Sequence, residues 1–104
     1  MSGPQLTVGR GVIVEMVRLA ALEVPGVLRV ARGGAAWRAF LRGGSVRIRV
    51  RHGEVSVRLW VVARPGADLR AVAAQVRSAV GGAVERLLGL RLGAVTVIVD
   101  GIGG

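Results

Sequence analysis

The sequence predicts an α+β protein: a two-layer sandwich with two amphipathic helices packed on one face of a mixed three- to four-stranded sheet. Apolar and charged residues alternate over 46–61, which indicates a β-hairpin. Apolar residues recur at helical spacing before it, over 12–20, and after it, over 69–87. A run of mostly β-branched residues at 95–99 predicts a last strand. The resulting order is α-β-β-β-α-β, and at 104 residues we expect a single domain over 1–104.

The first predicted helix carries one apolar stripe, formed by Val12, Ile13, Met16, Val17 and Ala20. Pro25-Gly26 ends it, because proline disfavours helical geometry in the preceding residue and glycine permits a reversal. A short strand is expected over 27–30. Residues 6–8 could form a further short strand before the helix.

The hairpin has a register that its own pattern determines. A two-residue turn at His52-Gly53 pairs Arg51 with Glu54 and brings the apolar residues of the two strands opposite one another. A slip of one residue would turn arginines toward the core, so the alternation selects this register. Between the first strand and the hairpin, residues 32–45 read as a flexible connector bracketed by glycine pairs.

The second predicted helix begins at Asp68, which is a suitable N-cap residue. Its apolar stripe comprises Leu69, Val72, Ala73, Val76, Val80, Ala83 and Leu87. Gly81-Gly82 interrupts the stripe and predicts a kink or a close helix contact. Gly89 is a natural C-terminal stop.

Charge and composition narrow the functional classes. The sequence contains fifteen arginines, no lysine and six acidic residues, which gives a net charge of +9. This balance favours anionic partners, but we take a codon bias toward arginine as the simpler explanation of it. The hydrophobic fraction of 52% is high for a small domain, so some apolar surface is expected to serve self-association. No apolar run is long enough for a membrane span, no signal peptide is recognisable and cysteine is absent, so we expect a cytoplasmic protein.

Catalytic, metal and cofactor motifs are missing from the sequence. His52 is the only histidine and falls in the hairpin turn, where no carboxylate is placed to orient its ring. One histidine with scattered carboxylates provides too few ligands for a metal. Gly9-Arg10-Gly11 lacks the third glycine of a dinucleotide loop, since Val14 occupies that position. A type-II KH RNA-binding domain shares the element order, but the one GxxG match lies at the chain end, over 101–104. We therefore expect no enzyme and no cofactor.

Several segments resemble, in order and spacing, the bacterial alkaline shock protein family, also called the Gls-type envelope stress response proteins. They are Glu23-Val24-Pro25-Gly26-Val27, the valine hairpin with Gly53, Gly66, a helix with Val72-Ala73, Gln75-Val76 and Val80, then Gly89-Leu90, Val95-Thr96-Val97-Ile98-Val99 and Gly101-Ile102. The resemblance covers residues 6–102. It implies a non-enzymatic cytoplasmic protein, associated in some members with the cell envelope through a membrane-anchored partner.

The candidate binding residues form two groups. With helices on one sheet face, the other is expected to carry Arg47, Arg49, Arg51, Arg58 and Trp60. In the connector, Trp37 and Phe40 lie at helical spacing with Leu41 and could dock a partner or fold over the protein's own core. We interpret the chain as a protein-binding scaffold at or near the envelope. The alternatives are RNA or DNA binding through the arginine-rich face, a homo-oligomer with no other partner, and a face that is merely solvated.

Overall fold

The computed structural model describes residues 9–30 and 45–102. Within these ranges the elements follow the predicted order, with one π-helical turn added after the second helix. They are α1 (Arg10–Leu22), β1 (Val27–Arg29), β2 (Val46–Arg51), β3 (Glu54–Ala63), α2 (Leu69–Gly82), the π-turn (Ala83–Leu87) and β4 (Arg91–Ile102). The expected strand at 6–8 and all of the connector except Ser45 lie outside the described residues.

The sheet is mixed, as predicted, and β3 is its central strand. On one side β3 pairs antiparallel with both β1 and β2, and on the other it pairs parallel with β4. A parallel partner cannot follow directly in the chain, because a crossover must return it to the same end of the sheet. Here α2 provides that crossover.

Strands β1 and β2 form two halves of one edge of the sheet. Both run antiparallel to β3, with Arg29 opposite Val62 and Val46 opposite Leu59. Ser45 joins the two halves, since its hydroxyl donates to the Val30 carbonyl at 3.1 Å. The Ser45 carbonyl in turn accepts the backbone N–H of Trp60 at 2.9 Å. Val30 and Ser45 therefore lie side by side, although residues 31–44 separate them in the chain.

The predicted register of the hairpin is confirmed. Val46 lies opposite Leu59, Ile48 opposite Val57, and Arg51 opposite Glu54. The turn has positive φ at both central residues, 51° at His52 and 77° at Gly53. Two left-handed residues in succession are typical of the type I′ turn, whose twist matches that of the flanking strands.

Both helices cover the same face of the sheet, which confirms the two-layer sandwich. The buried apolar cluster joins Ile13 and Val17 of α1 to Leu59 of β3 and to Val76 and Val80 of α2. Side chains of β3 alternate from Glu54 to Val61, with Val55, Val57, Leu59 and Val61 buried on this helix-covered face, and the alternation ends at Val62 and Ala63, which are both buried as well. The opposite face of the hairpin is thereby left to the charged residues.

The predicted stripe of α1 is correct at its centre and wrong at one edge. Ile13, Val17 and Ala20 are buried, whereas Val12 is 54% exposed and Met16 is only half-buried. The buried stripe instead continues through Ala21 and Val24. The helix is rotated so that the flank carrying Val12 and Met16 turns away from the sheet.

The stripe of α2 ends earlier than predicted because the helix widens. Asp68 caps the N-terminus as expected, accepting the backbone N–H groups of Arg70 and Ala71 at 3.1 and 3.3 Å. After Gly82 the backbone adopts π-helical bonding, in which the N–H of Leu88 reaches the carbonyl of Ala83. The predicted core residue Leu87 is 68% exposed. The last buried residues of the stripe are Ala83, as predicted, and Val84.

Leu69, the other predicted core residue that the structure leaves outside, is 41% exposed at the first position of α2. Burial in this helix starts at Val72.

The left-handed turn gives a stability prediction. Replacing Gly53 with alanine should lower the free energy of unfolding by about 1 kcal/mol, because an L side chain is strained at positive φ. Gly11→Ala is the matched control: the site is open, lies in α1 and should gain up to about 1 kcal/mol. Urea unfolding monitored by circular dichroism measures both. Equal effects of the two substitutions would contradict the assigned turn.

Candidate binding face of the sheet

The hairpin projects its arginines away from the helices. Because side chains alternate along each strand, Arg47, Arg49 and Arg51 of β2 share one face with Arg58 and Trp60 of β3. We call these five residues the arginine face. All four arginines are exposed, and Trp60 is half-buried. The structure thus places on one face the five strand residues that the sequence analysis predicted to lie there.

Cross-strand pairing concentrates positive charge at the centre of this face. Arg47 lies directly opposite Arg58, and Arg49 lies opposite Ser56. Like charges at directly opposed positions destabilise a sheet. Among the described residues the one salt bridge joins Arg18 to Glu15 on α1, so Arg47, Arg49 and Arg58 form no ion pair there, and Arg51 alone lies opposite an acidic residue, Glu54. Their charge is available to a ligand.

Three of the arginines line a shallow depression of about 520 Å³. Arg47, Arg49 and Arg58 contribute to its wall, together with the hydroxyl-bearing Ser56 and Thr96. Arg51 lies outside it, at the turn end of the hairpin opposite Glu54. Guanidinium groups and hydroxyls are donors suited to carboxylate or phosphate oxygens.

Sequence reasoning missed the contribution of β4 to the depression. The register between β3 and β4 shifts between Val55 and Val57, where β4 carries an irregularity at Gly93 and Ala94. The hydroxyl of Ser56 accepts the backbone N–H of Ala94 at 3.2 Å and so ties this bulge to β3. A Cβ at residue 93 would lie 2.6 Å from that hydroxyl oxygen, so a side chain there would displace the Ser56 hydroxyl from its bond to Ala94. Gly93, next to a strongly apolar strand, was the available signal for a bulge.

Trp60 has a defined environment on this face. The guanidinium carbon of Arg47 lies 6.0 Å from the centre of its ring, within the range of a cation–π contact. The indole and the guanidinium therefore form one unit, and the ring is not a free aromatic platform.

Two arginines from the helices contact the outer strands of the sheet. Arg10 of α1 donates to the carbonyl of Ile48 in β2 at 2.7 Å, and Arg77 of α2 donates to the carbonyl of Val95 in β4 at 3.3 Å. Such bonds occupy carbonyls that an added strand would need, which protects a sheet against edge pairing. These contacts favour the face of the sheet over its edges as the surface for a ligand.

Trp37 and Phe40 lie outside the described residues. Within 9–30 and 45–102 no group of three or more metal-ligating side chains occurs. In that same part of the chain, no helix combines the length and apolarity needed to cross a bilayer.

The fold and the face define a class, that of small two-layer α+β proteins with an exposed cationic sheet face. The family comparison is more specific. The model of the alkaline shock protein 23 family, described as having a cell envelope-related function, matches residues 2–103. The chain belongs to this family, which confirms the resemblance seen in the sequence. No curated protein is similar enough to the chain to count as a relative.

Solved structures share the fold at low sequence identity. A variant of the MamM-CTD superposes with a TM-score of 0.68 at 16% identity, covering 91% of this chain and 100% of that one. A copper form of the MamM CTD superposes with a TM-score of 0.67 at 16% identity, covering 90% of this chain and 87% of that one. A variant of the MamM CTD in a nickel form superposes with a TM-score of 0.66 at 17% identity, covering 89% of this chain and 99% of that one. At such identities the likeness establishes the α+β fold alone.

The opposed arginines give a prediction about stability. Arg58→Glu should raise the free energy of unfolding by a few tenths of a kcal/mol, since an opposite charge would then face Arg47. Arg49→Glu, opposite Ser56, relieves no directly opposed charge and should gain less. Urea titrations at low and high salt measure both variants, and the gain should shrink as salt screens it. A loss of stability in Arg58→Glu would show that Arg58 supports the fold.

Proposed function

We propose that this protein is a non-catalytic binding module whose arginine face holds an acidic segment of a protein partner at the cell envelope. The partner is membrane-anchored, and the module itself is a single cytoplasmic domain that reaches the membrane through it. The protein acts as a scaffold: its role is to bind the partner and to hold it in a fixed orientation. No chemical step is assigned to it.

One observation carries the proposal: Arg47, Arg49 and Arg58 line a single depression while lacking an acidic partner among the described residues. Opposed arginines lower the stability of a sheet, so a bound anion would relieve a repulsion that the free protein retains. Arginine binds carboxylates in bidentate geometry. Arginine and tryptophan are also enriched at the energetic centres of protein interfaces.

The envelope-related function of the family supports a partner at the membrane. A cationic face also suits such a location, since the inner surface of a membrane carries anionic lipid and attracts basic proteins over a Debye length. This attraction would concentrate the module near its partner. Specificity would come from the partner's acidic segment.

RNA or DNA binding through the same face is the alternative function. Guanidinium groups hold phosphates as readily as carboxylates. Single-strand binding surfaces, however, add aromatic rings on which bases stack. Here the one tryptophan of the described residues is already contacted by Arg47, so the geometry favours the protein partner.

The face is tested by reversing charge at two positions. The double variant Arg49→Glu with Arg58→Glu should fold normally and lose capture of envelope proteins by at least tenfold, because two donors become repulsive. The measurement is retention of nuclease-treated, detergent-solubilised envelope proteins on the immobilised module, followed by identification of what is retained.

Arg29→Glu with Arg70→Glu is the matched control. It makes the same change in net charge outside the depression, at two exposed arginines. The control should retain the same proteins as the unaltered module. Undiminished capture by the arginine-face variant would refute the proposal. In a parallel titration with RNA and duplex DNA, tight binding that falls steeply with salt would favour the alternative.

A further inference from the structure

A second surface lies on the opposite side of the molecule, between the two helices. It is a groove of about 590 Å³ lined by apolar side chains, among them Met16 and Leu19 of α1 and Ala79 of α2, with Ala83 and Leu87 of the π-turn. Leu19 is 47% exposed and Leu87 is 68% exposed. Large apolar side chains grouped in a concave site are a mark of an interaction surface.

One flank of α1 carries apolar residues at helical intervals, as a core-facing stripe would. Met16 and Leu19 of this flank line the groove and Val12 lies one turn before them, yet the flank faces away from the sheet. The sequence thus carries more apolar helical surface than its own sheet covers. The π-turn adds Leu87 to the same surface by changing the residue spacing at the end of α2.

The charges at the groove are self-complementary. Glu23 and Arg86 both line it, and neither is in a salt bridge within the described part of the chain. The neighbouring charges on α1 are already satisfied, since Arg18 holds Glu15 in a bidentate pair and lowers the pKa of that carboxyl. A surface with one unpaired acid and one unpaired base fits a copy of itself across a twofold axis, where each acid meets the other copy's base.

The distribution of charge also selects a second copy over an anionic ligand. On the helix layer, Glu15, Glu23, Asp68 and Glu85 nearly balance five arginines, whereas the far side of the sheet carries Arg47, Arg49, Arg51 and Arg58. Two copies that met helix layer to helix layer would hold their arginine faces apart. An acidic ligand has no comparable attraction to this groove.

We propose that the protein forms a twofold-symmetric dimer through this groove, with Leu19 and Leu87 at the centre and Glu23 against Arg86 of the second copy. The dimer presents two arginine faces on opposite sides and is therefore bivalent. Because the two faces point away from each other, the dimer can link two acidic segments to one another, and it gains no avidity on a single flat membrane. The dimer does not depend on what the arginine face binds.

Sedimentation equilibrium tests the dimer with a substitution in the groove and one outside it. Leu19→Asp and Leu87→Asp should each raise the dimer dissociation constant at least about a hundredfold, because a buried, unpaired carboxylate is strongly unfavourable. Leu69→Asp is the matched control, an exposed leucine of α2 that is not among the groove residues. It should leave the constant unchanged, and all three variants should keep the far-ultraviolet spectrum of the unaltered protein.

A mixing experiment tests the charge pair and the symmetry together. Glu23→Arg alone and Arg86→Glu alone should each be monomeric, since every dimer would then contain two like-charged contacts. An equimolar mixture should form a mixed dimer, in which each reversed residue meets an opposite charge. A stability defect cannot produce this rescue.

Three results would overturn the inference: a monomer at every accessible concentration, a dimer that survives both aspartate substitutions, or variants whose mixture stays monomeric. A fourth result, leucine-dependent binding of the monomer to anionic lipid vesicles, would identify the groove as a lipid contact and would overturn the inference equally. The binding function proposed for the arginine face stands or falls separately, because its variants lie on the other side of the sheet.

Discussion

The register of the β2–β3 hairpin is the constraint on which the rest of the structure depends. Side chains in a strand alternate with a period of two, so a shift of one residue would exchange the two faces of the hairpin. In the observed register Ile48, Val57 and Leu59 enter the core, and the arginines between them face outward. The type I′ turn at His52-Gly53 and the apolar requirement of the core select the same pairing.

The two faces differ in charge as well as in burial. The helix-covered face joins both helices to the sheet through valine, isoleucine, leucine and alanine. The uncovered face concentrates arginine, and its directly opposed pair, Arg47 and Arg58, reduces stability locally. Local conflict with the fold is expected where a residue has been retained for function. This conflict is the physical link between the hairpin and the proposed binding of an acidic partner.

Local signals in the sequence were sufficient for much of this arrangement. Alternation and turn chemistry predicted the hairpin register pair by pair, and Asp68 predicted the start of α2. The family assignment followed from motif order. The hairpin register and the start of α2 depend on residues that are close together in the sequence, so they can be predicted without knowledge of the rest of the fold.

Features set by tertiary contacts were not accessible in the same way. The bulge at Gly93 and the part played by Ser56 and Thr96 depend on which strand lies beside β3. The exposure of Val12 depends on how α1 is rotated over the sheet, and that of Leu87 on the π-turn. A helical stripe indicates that residues share one side of a helix. It leaves open whether the protein's own sheet or another molecule covers them.

Disulfide trapping tests the hairpin register most directly, because the chain contains no cysteine of its own. Directly opposed residues have Cα atoms about 4.5–5.5 Å apart, a separation that a disulfide can bridge, whereas residues one step out of register project to opposite faces. Oxidation of the pair Arg47→Cys with Arg58→Cys should close an intramolecular disulfide in the folded protein. The pair Arg47→Cys with Val57→Cys should stay reduced. Closure of the second pair in preference to the first would show that the strands are offset and the arginine face does not exist.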